Sequence, residues 1–437
     1  MIDHTHTAPK LMEALRQLEN TTSTTEKRQL LARFDKQLPE FRSMLVYALD
    51  PYKRYGVARF PTGSGRTDGT NTWHDIYYFL DCAAQGDMSG SQLTRYLLKV
   101  SENMNSNTRE LFRRIMLKDL RCGVGATLVN SVMPGLIPQF SCMLAETLEE
   151  RHIKRLQVAG KVYGQPKMNG DRAVTVIPDA NTFPEMLSRK GFPLHNYQTI
   201  ARALSELRRI AKREGIVFDG EAIVGDFWKT RGTKKLAGNE AEGAVLHVFD
   251  CVEYDQWKRG ETDNFSVRAK LLKELSSLPF WEACGVLSRV PTMLLKDVTW
   301  DGLSALRDQL ITSGYEGLII RLDLGYDFSS SARNNMYKHK KMDTLDCVIL
   351  EVLPGEADKK LADTAAKLKI ELPNGQECLA GMGKGLNRAA LDKLWRLRGR
   401  YVGLVAEISY QEKTVNESGE WRLQFPKFTG VVRQDKS

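Results

Sequence analysis

The chain has 437 residues, a length that implies about two to four domains, and its 42% apolar content is enough to build packed cores. Seven scattered cysteines with no Cys-x-x-Cys pair argue against a zinc knuckle or a disulfide framework, and no apolar run approaches the ~20 residues that a membrane span needs. The formal charge of +9 suits either a solvated basic surface or a nucleotide or nucleic-acid ligand, and charge alone does not separate the two. The start "MIDHTHTAPK" lacks a cationic stretch followed by an apolar one, so the expectation is a soluble, cytoplasmic protein.

Residues 1–150 read as helical. In "STTEKRQLLARFDKQLPEFRSMLVYAL", Ser23 stands three residues before Glu26 in a capping-box pattern. Leu30, Phe34, Leu38, Phe41 and Leu45 then recur at helix-face spacing, with Pro39 interrupting the run. "TRELFRRIMLKDLRCGVGATLVNSVMPGLIP" predicts more helix with a turn at Gly123 and Gly125. Its Arg113, Arg114, Lys118 and Arg121 read as a basic stripe, either a solvated face or a phosphate contact.

From about residue 155 the pattern changes to short β-rich runs: "RAVTVI", "GIVFDGEAIVG", "GAVLHVFDCVEY" and "EGLIIRL". Helical stretches such as "YQTIARALSELRRIAKREG" separate them, which predicts an α+β domain with antiparallel character over 151–343. The basic, glycine-bearing segment Phe227–Gly243 reads as a surface excursion. Beyond it, "DCVILEVLPG", "AAKLKIELPNG", "YVGLVAEISYQE" and "LQFPKFTGVVRQD" are strand-like pieces over 344–437, the size of a small OB-fold β-barrel.

Six short pieces fall in order: Lys167-Met-Asn-Gly-Asp-Arg172, Phe218-Asp-Gly-Glu221, Phe249-Asp250, Glu316-Gly-Leu-Ile-Ile-Arg321, Tyr337-Lys-His-Lys340 and Arg433-Gln-Asp-Lys436. Singly, each has a plain structural reading: a hairpin turn, or a solvated lysine pair. As an ordered set they resemble the nucleotidyltransferase motifs of ATP-dependent DNA ligases. The segment "LKDLRCGVGATLVNSVMPGLIPQFSCMLA" is similar to that family's junction between a helical DNA-binding domain and the catalytic domain, and "FPKFTGVVRQDKS" resembles its last motif. The resemblance, which covers nearly the whole chain, implies a multidomain α+β protein of the bacteriophage type. Its parts would be an all-helical DNA-binding domain (1–150), an α+β nucleotidyltransferase (ATP-grasp-like adenylation) domain (151–343) and a C-terminal OB-fold barrel (344–437).

The resemblance implies a role for each residue. Lys167 would attack the α-phosphorus of ATP and carry AMP as a phosphoramidate, once its amine has given up a proton at a cost of roughly 4–5 kcal/mol at neutral pH. Lys338 and Lys340 would grip the α-phosphate, while Glu221 and Glu316 would hold Mg2+, with Glu221 also near the ribose. Gln165 would read the adenine edge and Phe249 would lie under the ring. Arg172, Arg189 and Arg333 would approach AMP and the 5′-phosphate of the nick. Arg433 and Lys436, on the barrel, would clamp the outer phosphates of ATP, and closure would hinge at Lys340–Asp346. Gly170, Asp219 and Asp435 support these motifs. Asn169 stands where the family has Asp, which keeps the turn preference but removes a negative charge beside the lysine.

The implied partner is nicked double-stranded DNA gripped through its phosphates by a monomer, with no membrane contact. RNA ligases and capping guanylyltransferases share the core motifs but not the helical domain, and an NAD-dependent ligase would bring zinc-binding cysteines. A non-catalytic binding protein of this fold would not be expected to keep Lys167, Glu221, Glu316, Lys338 and Lys340 together.

Overall fold

The computed structural model describes residues 7–57, 59–61, 73–85, 88, 90–225, 230, 239–329, 335–355, 361–383, 385–415 and 420–433. Two compact units result: one made of Met1–Gln139 with Thr344–Ser437, the other of Phe140–Asp343.

In the first unit, helices Thr7–Glu19, Thr24–Gln37, Phe41–Leu49, Trp73–Ala84, Gly90–Glu102 and Ser106–Met116 follow one another, with the short helix Ala126–Asn130 after them. Ser23 caps the second, its hydroxyl accepting from the Glu26 N–H at 3.3 Å, and Pro39 falls in the break between the second and third helices. The apolar faces meet in one core in which Leu11, Leu15, Leu31, Phe41, Leu45 and Phe112 are fully buried.

The expected basic stripe is corrected here. Arg114 is buried, pairs with Glu110 and Glu19, and donates to the Leu120 carbonyl at 2.8 Å. Arg113 also pairs with Glu110, and Lys118 donates to the carbonyls of Tyr47 and Asp50. The Arg114–Glu19 pair and the Lys118 bonds tie separate parts of the helical region together, because an acid and carbonyls distant in sequence face these cations in the fold.

The second unit holds two five-stranded sheets. Its strands are β1 (Glu146–Thr147), β2 (Val162–Lys167), β3 (Asp171–Ile177), β4 (Glu185–Ser188), β5 (Ile216–Val224), β6 (Ala244–Glu253), β7 (Leu287–Arg289), β8 (Met293–Leu294), β9 (Gly317–Leu322) and β10 (Met336–His339). One sheet runs β1-β10-β9-β2-β8, the other β4-β3-β5-β6-β7, and the pairing is antiparallel except for β1 with β10 and β6 with β7. The four β-rich runs of the sequence are β3, β5, β6 and β9.

Strand periodicity builds the layers. Val174 of β3, Val217 of β5 and Ile319 of β9 belong to one cluster with Met143, Tyr326 and Met336. Their neighbours Ala173 and Phe218 turn to the other face, onto helix Gln198–Ile210, and Ile320 turns onto helix Trp300–Thr312. Each sheet therefore has a helix on one face and the shared apolar cluster on the other.

Behind that cluster lies a buried charge group. Asp250 is fully buried and accepts from Arg268 Nε at 2.9 Å and Nη2 at 3.1 Å, and it also pairs with Arg321, itself only 1% exposed. Burial alone would raise the Asp250 carboxyl, but the two guanidinium groups outweigh it and hold it below the usual range.

Asp343–Pro354 (β11), Ala365–Glu371 (β12), Glu377–Met382 (β13), Val405–Tyr410 (β14) and Lys427–Arg433 (β17) close into a barrel in the order β11-β12-β13-β17-β14. Between β14 and β17 lies a hairpin of Glu412–Val415 (β15) and Trp421–Gln424 (β16). The four strand-like pieces of the sequence correspond to β11, β12, β14 and β17, while β13 and helix Arg388–Arg396, capped by Asn387, are additions.

Removing one partner of a buried ion group leaves the others uncompensated, at a cost of about 3–5 kcal/mol. Asp250→Ala is expected to destabilise the chain by that amount in equilibrium urea unfolding, whereas Arg209→Ala, on an exposed pair with Glu206, is expected to change stability by less than about 1 kcal/mol.

Candidate active site

Lys167 ends β2 of the first sheet, and β3 of the second begins only at Asp171, so residues 168–170 carry the chain from one sheet to the other. That crossing explains the Asn-Gly pair. A Cβ on Gly170 would lie 2.5 Å from the Ala222 carbonyl, and its N–H donates to Glu221 Oε1 at 3.2 Å. Asn169 sits half-buried in this turn.

The register of the first sheet assembles the basic side. Lys167 lies opposite Gly317, the Glu316 N–H donates to the Lys167 carbonyl at 3.0 Å, and Lys338 lies opposite Ile319. Gly317, at φ 152°, is required here because a Cβ would meet the His339 carbonyl at 2.5 Å. Alternation along β10 puts Lys338 and Lys340 on the cleft side, while His339 packs behind against Trp300, Ser304 and Arg307. The Glu316 carboxylate, 5% exposed, pairs through one oxygen with Lys167 and through the other with Lys340. Burial would raise this carboxyl, but the two ammonium groups prevail and hold it below the usual range. Burial and the Lys167 charge lower the Lys340 ammonium.

The second sheet supplies the opposite wall. Arg172 lies across from Glu221, and Asp219 lies across from Asp250 with a bulge in the adjacent register that leaves Phe249 as the extra residue. Arg172 is held by both oxygens of Asp219, one of which, Oδ2, also accepts from the Tyr326 hydroxyl at 2.6 Å, and its guanidinium lies 4.6 Å from the centre of the Phe249 ring. Glu221, desolvated by burial, is pushed up to about 7 despite Lys167, Arg172 and the Gly170 N–H, which act the other way.

These walls enclose a cleft of about 380 Å³, a size usual for small-molecule sites. Lys167, Arg172, Arg189, Glu221, Phe249, Lys338 and Lys340 line it, so the structure brings together seven of the side chains singled out in the sequence. Gln165 also borders it, but its amide faces inward at 2% exposure. It donates to the Phe249 carbonyl at 3.0 Å and to Thr292 Oγ1 at 2.9 Å, and accepts from Arg321 at 3.4 Å. Its evident work is to hold Phe249 in place. Glu316 lies beneath the two lysines rather than in the lining. Arg433 belongs to the other compact unit, where it pairs with Glu407 and Asp346. Arg333, Asp435 and Lys436, with most of the segment Phe227–Gly243, fall outside the described residues. Sequence reading missed Tyr326, Arg268 and Thr292, because nothing local marks a buried side chain whose partner lies on another strand.

The family model described as "ATP dependent DNA ligase domain" matches residues 142–340, which span every cleft residue named above. The chain carries an ATP-dependent DNA ligase domain. The DNA ligases of Enterobacteria phage T6 and Enterobacteria phage T4 are each 22% identical to it over 444 residues, covering 91% of this chain and 90% of theirs. The solved structure named Pmar-Lig_PreS3 superposes with a TM-score of 0.85 at 23% identity, over 97% of this chain and 99% of the other, so the likeness in fold extends beyond the ligase domain.

The Glu221 shift gives the unliganded ligase domain a pH signature. A carboxyl raised in the folded state stabilises the fold below its unfolded pKa and loses that contribution as pH rises through the folded value. The stability difference between wild type and Glu221→Gln, from urea midpoints, is expected to fall between about pH 4.5 and about pH 7 and level off above.

Proposed function

We propose that Lys167 is the residue on which this ATP-dependent DNA ligase carries AMP while it seals 5′-phosphate/3′-hydroxyl nicks in duplex DNA. The observation that carries this reading is the single cleft in which Lys167, Lys338 and Lys340 converge opposite Arg172 and Phe249. A triphosphate needs cations and a base needs a flat apolar wall, and the two sheets offer one each.

The Lys167 amine, stripped of one proton, attacks the α-phosphorus, the bond to pyrophosphate breaks, and AMP stays on nitrogen. The nick's 5′-phosphate then takes AMP from Lys167, and the 3′-hydroxyl attacks that phosphate and expels AMP. Lys338 and Lys340 stabilise charge on the non-bridging oxygens throughout. Phosphate entering the cleft competes with Glu316 for Lys340 and Lys167, which loosens the resting ion pairs.

Two carboxylates beside a phosphate path are the hard-oxygen donors magnesium takes, so Glu221 and Glu316 would hold Mg2+, one oxygen of Glu221 keeping its bond to the Gly170 N–H. When bound, the ion would add positive charge at the reacting phosphate. Gln165, through Phe249, shapes the adenine wall; Arg189 and Arg333 take nick phosphate; Arg433 and Lys436 take the outer phosphates of ATP. The helical region 1–150 serves as DNA-binding domain, 151–343 as adenylation domain, and 344–437 as OB-fold domain, acting as a cytoplasmic monomer. The closed five-stranded barrel and, among the described residues, the seven helices before residue 131 support that division. Among the described residues, no helix is long and apolar enough to cross a membrane.

With α-labelled ATP and magnesium, the wild-type chain is expected to acquire acid-labile label and to seal a nicked duplex, whereas labelled GTP and NAD should give none. Lys167→Ala should lose both activities by at least about 10³-fold. Label at wild-type level on Lys167→Ala would refute the assignment of the nucleophile.

A further inference from the structure

Tyr326 lies outside every motif singled out in the sequence, yet its hydroxyl reaches the centre of the base-side wall. The residue is 4% exposed. Its N–H donates to Thr262 Oγ1 at 2.7 Å, and its ring packs against Trp257 and Phe328 with centroids 5.2 and 5.0 Å away. Gly325 permits this approach, since a Cβ there would already press on the Thr262 carbonyl at 3.1 Å. Backbone and ring are thus fixed by contacts that do not involve the hydroxyl.

The hydroxyl has a separate task. It donates at 2.6 Å to Asp219 Oδ2, the same oxygen that takes Arg172 Nη2, while Arg172 Nε takes Oδ1. Burial and the adjacent carboxylate keep the phenol protonated, so it acts as a donor. Asp219, 1% exposed, is therefore pinned from one side by Tyr326 and holds Arg172 on the other. Arg172 in turn stands over the Phe249 ring and lines the cleft.

We propose that Tyr326 is a positioning residue for ATP: acting through Asp219, it fixes the stance of the Arg172 guanidinium over Phe249, and with it the wall that meets the base and sugar. The proposal rests on the reading that this cleft takes ATP. Without the hydroxyl, the Asp219 carboxylate loses its anchor on that side, and the Arg172–Asp219 pair is left with the longer 3.3 Å bond from Arg172 Nη2 to the Met143 carbonyl, so the wall loses its set position. The Lys167–Glu316–Lys340 group stands at the other sheet. The consequence is specific: binding of ATP should suffer, while the chemical step at saturation should not.

The test is single-turnover self-adenylation of the full chain over a range of ATP concentrations, with melting temperature recorded beside it. Tyr326→Phe is expected to raise the half-saturating ATP concentration about five- to tenfold, with the saturating rate within about twofold and an unchanged melting temperature. Asp219→Asn, which keeps the side chain's shape, should raise it likewise. In an Arg172→Lys background, Tyr326→Phe should add less than about twofold, because the relay is already cut. An unchanged ATP dependence in Tyr326→Phe would overturn the proposal, as would the full factor persisting in the Arg172→Lys chain. Lys167→Ala runs alongside. Label on that variant would discredit the ATP reading itself, whereas a clean blank with a flat Tyr326→Phe result would discredit only the relay.

Discussion

One carboxylate placed between two ammonium groups is the constraint on which the site depends. Glu316 is almost wholly buried, immediately before β9, and the strand register leaves it no choice of neighbours: Lys167 closes the adjacent strand and Lys340 follows the other. An unpaired carboxylate at that depth would be costly, and two lysines side by side would repel, so each group is tolerable only because the others are present. The resting protein thus holds two cleft-side cations on one internal anion.

The second sheet follows a different logic. Its polar side chains are tied in advance to one another and to groups packed against them: Arg172 to Asp219, Asp219 to Tyr326, Asp250 to Arg268, and, from the first sheet, Gln165 to the Phe249 carbonyl and Arg321 to Asp250. Buried hydrogen-bonded networks of this kind hold their members in place. The bulge at Phe249 adds a backbone device to the same end, because one extra residue in β6 re-aims a ring out of the regular pleat. A wall of paired lysines and Glu316 therefore faces a wall of side chains bonded to one another.

Much of this was legible in the sequence for a simple reason: strands buried on both faces and helices with one apolar face leave a periodic trace. β3, β5, β6 and β9 follow that trace, as does the helix Gln198–Ile210. Lys167 stood out because it opens an ordered set of short pieces and stands two residues before an Asn-Gly pair. What stayed hidden depends on chain crossings. Glu316 and Lys167 are separated by 149 residues, Tyr326 and Asp219 by 107, and nothing in the local sequence of either announces the other. The basic stripe of the helical region failed for the same reason. Arg114 meets Glu19 across 95 residues, so a cation that reads as solvent-facing is spent inside the fold. Strand β13, short and glycine-bearing, leaves little local trace.

The central claim is that the Lys167 amine, and not its equally well-placed neighbour on Glu316, bonds to phosphorus. Mapping the attachment point by tandem mass spectrometry, after brief exposure of the wild-type chain to ATP, tests it most directly. The account predicts one AMP-bearing peptide, modified on Lys167, with the peptide containing Lys338 and Lys340 unmodified. AMP on Lys340 or Lys338, with Lys167 bare, would contradict it.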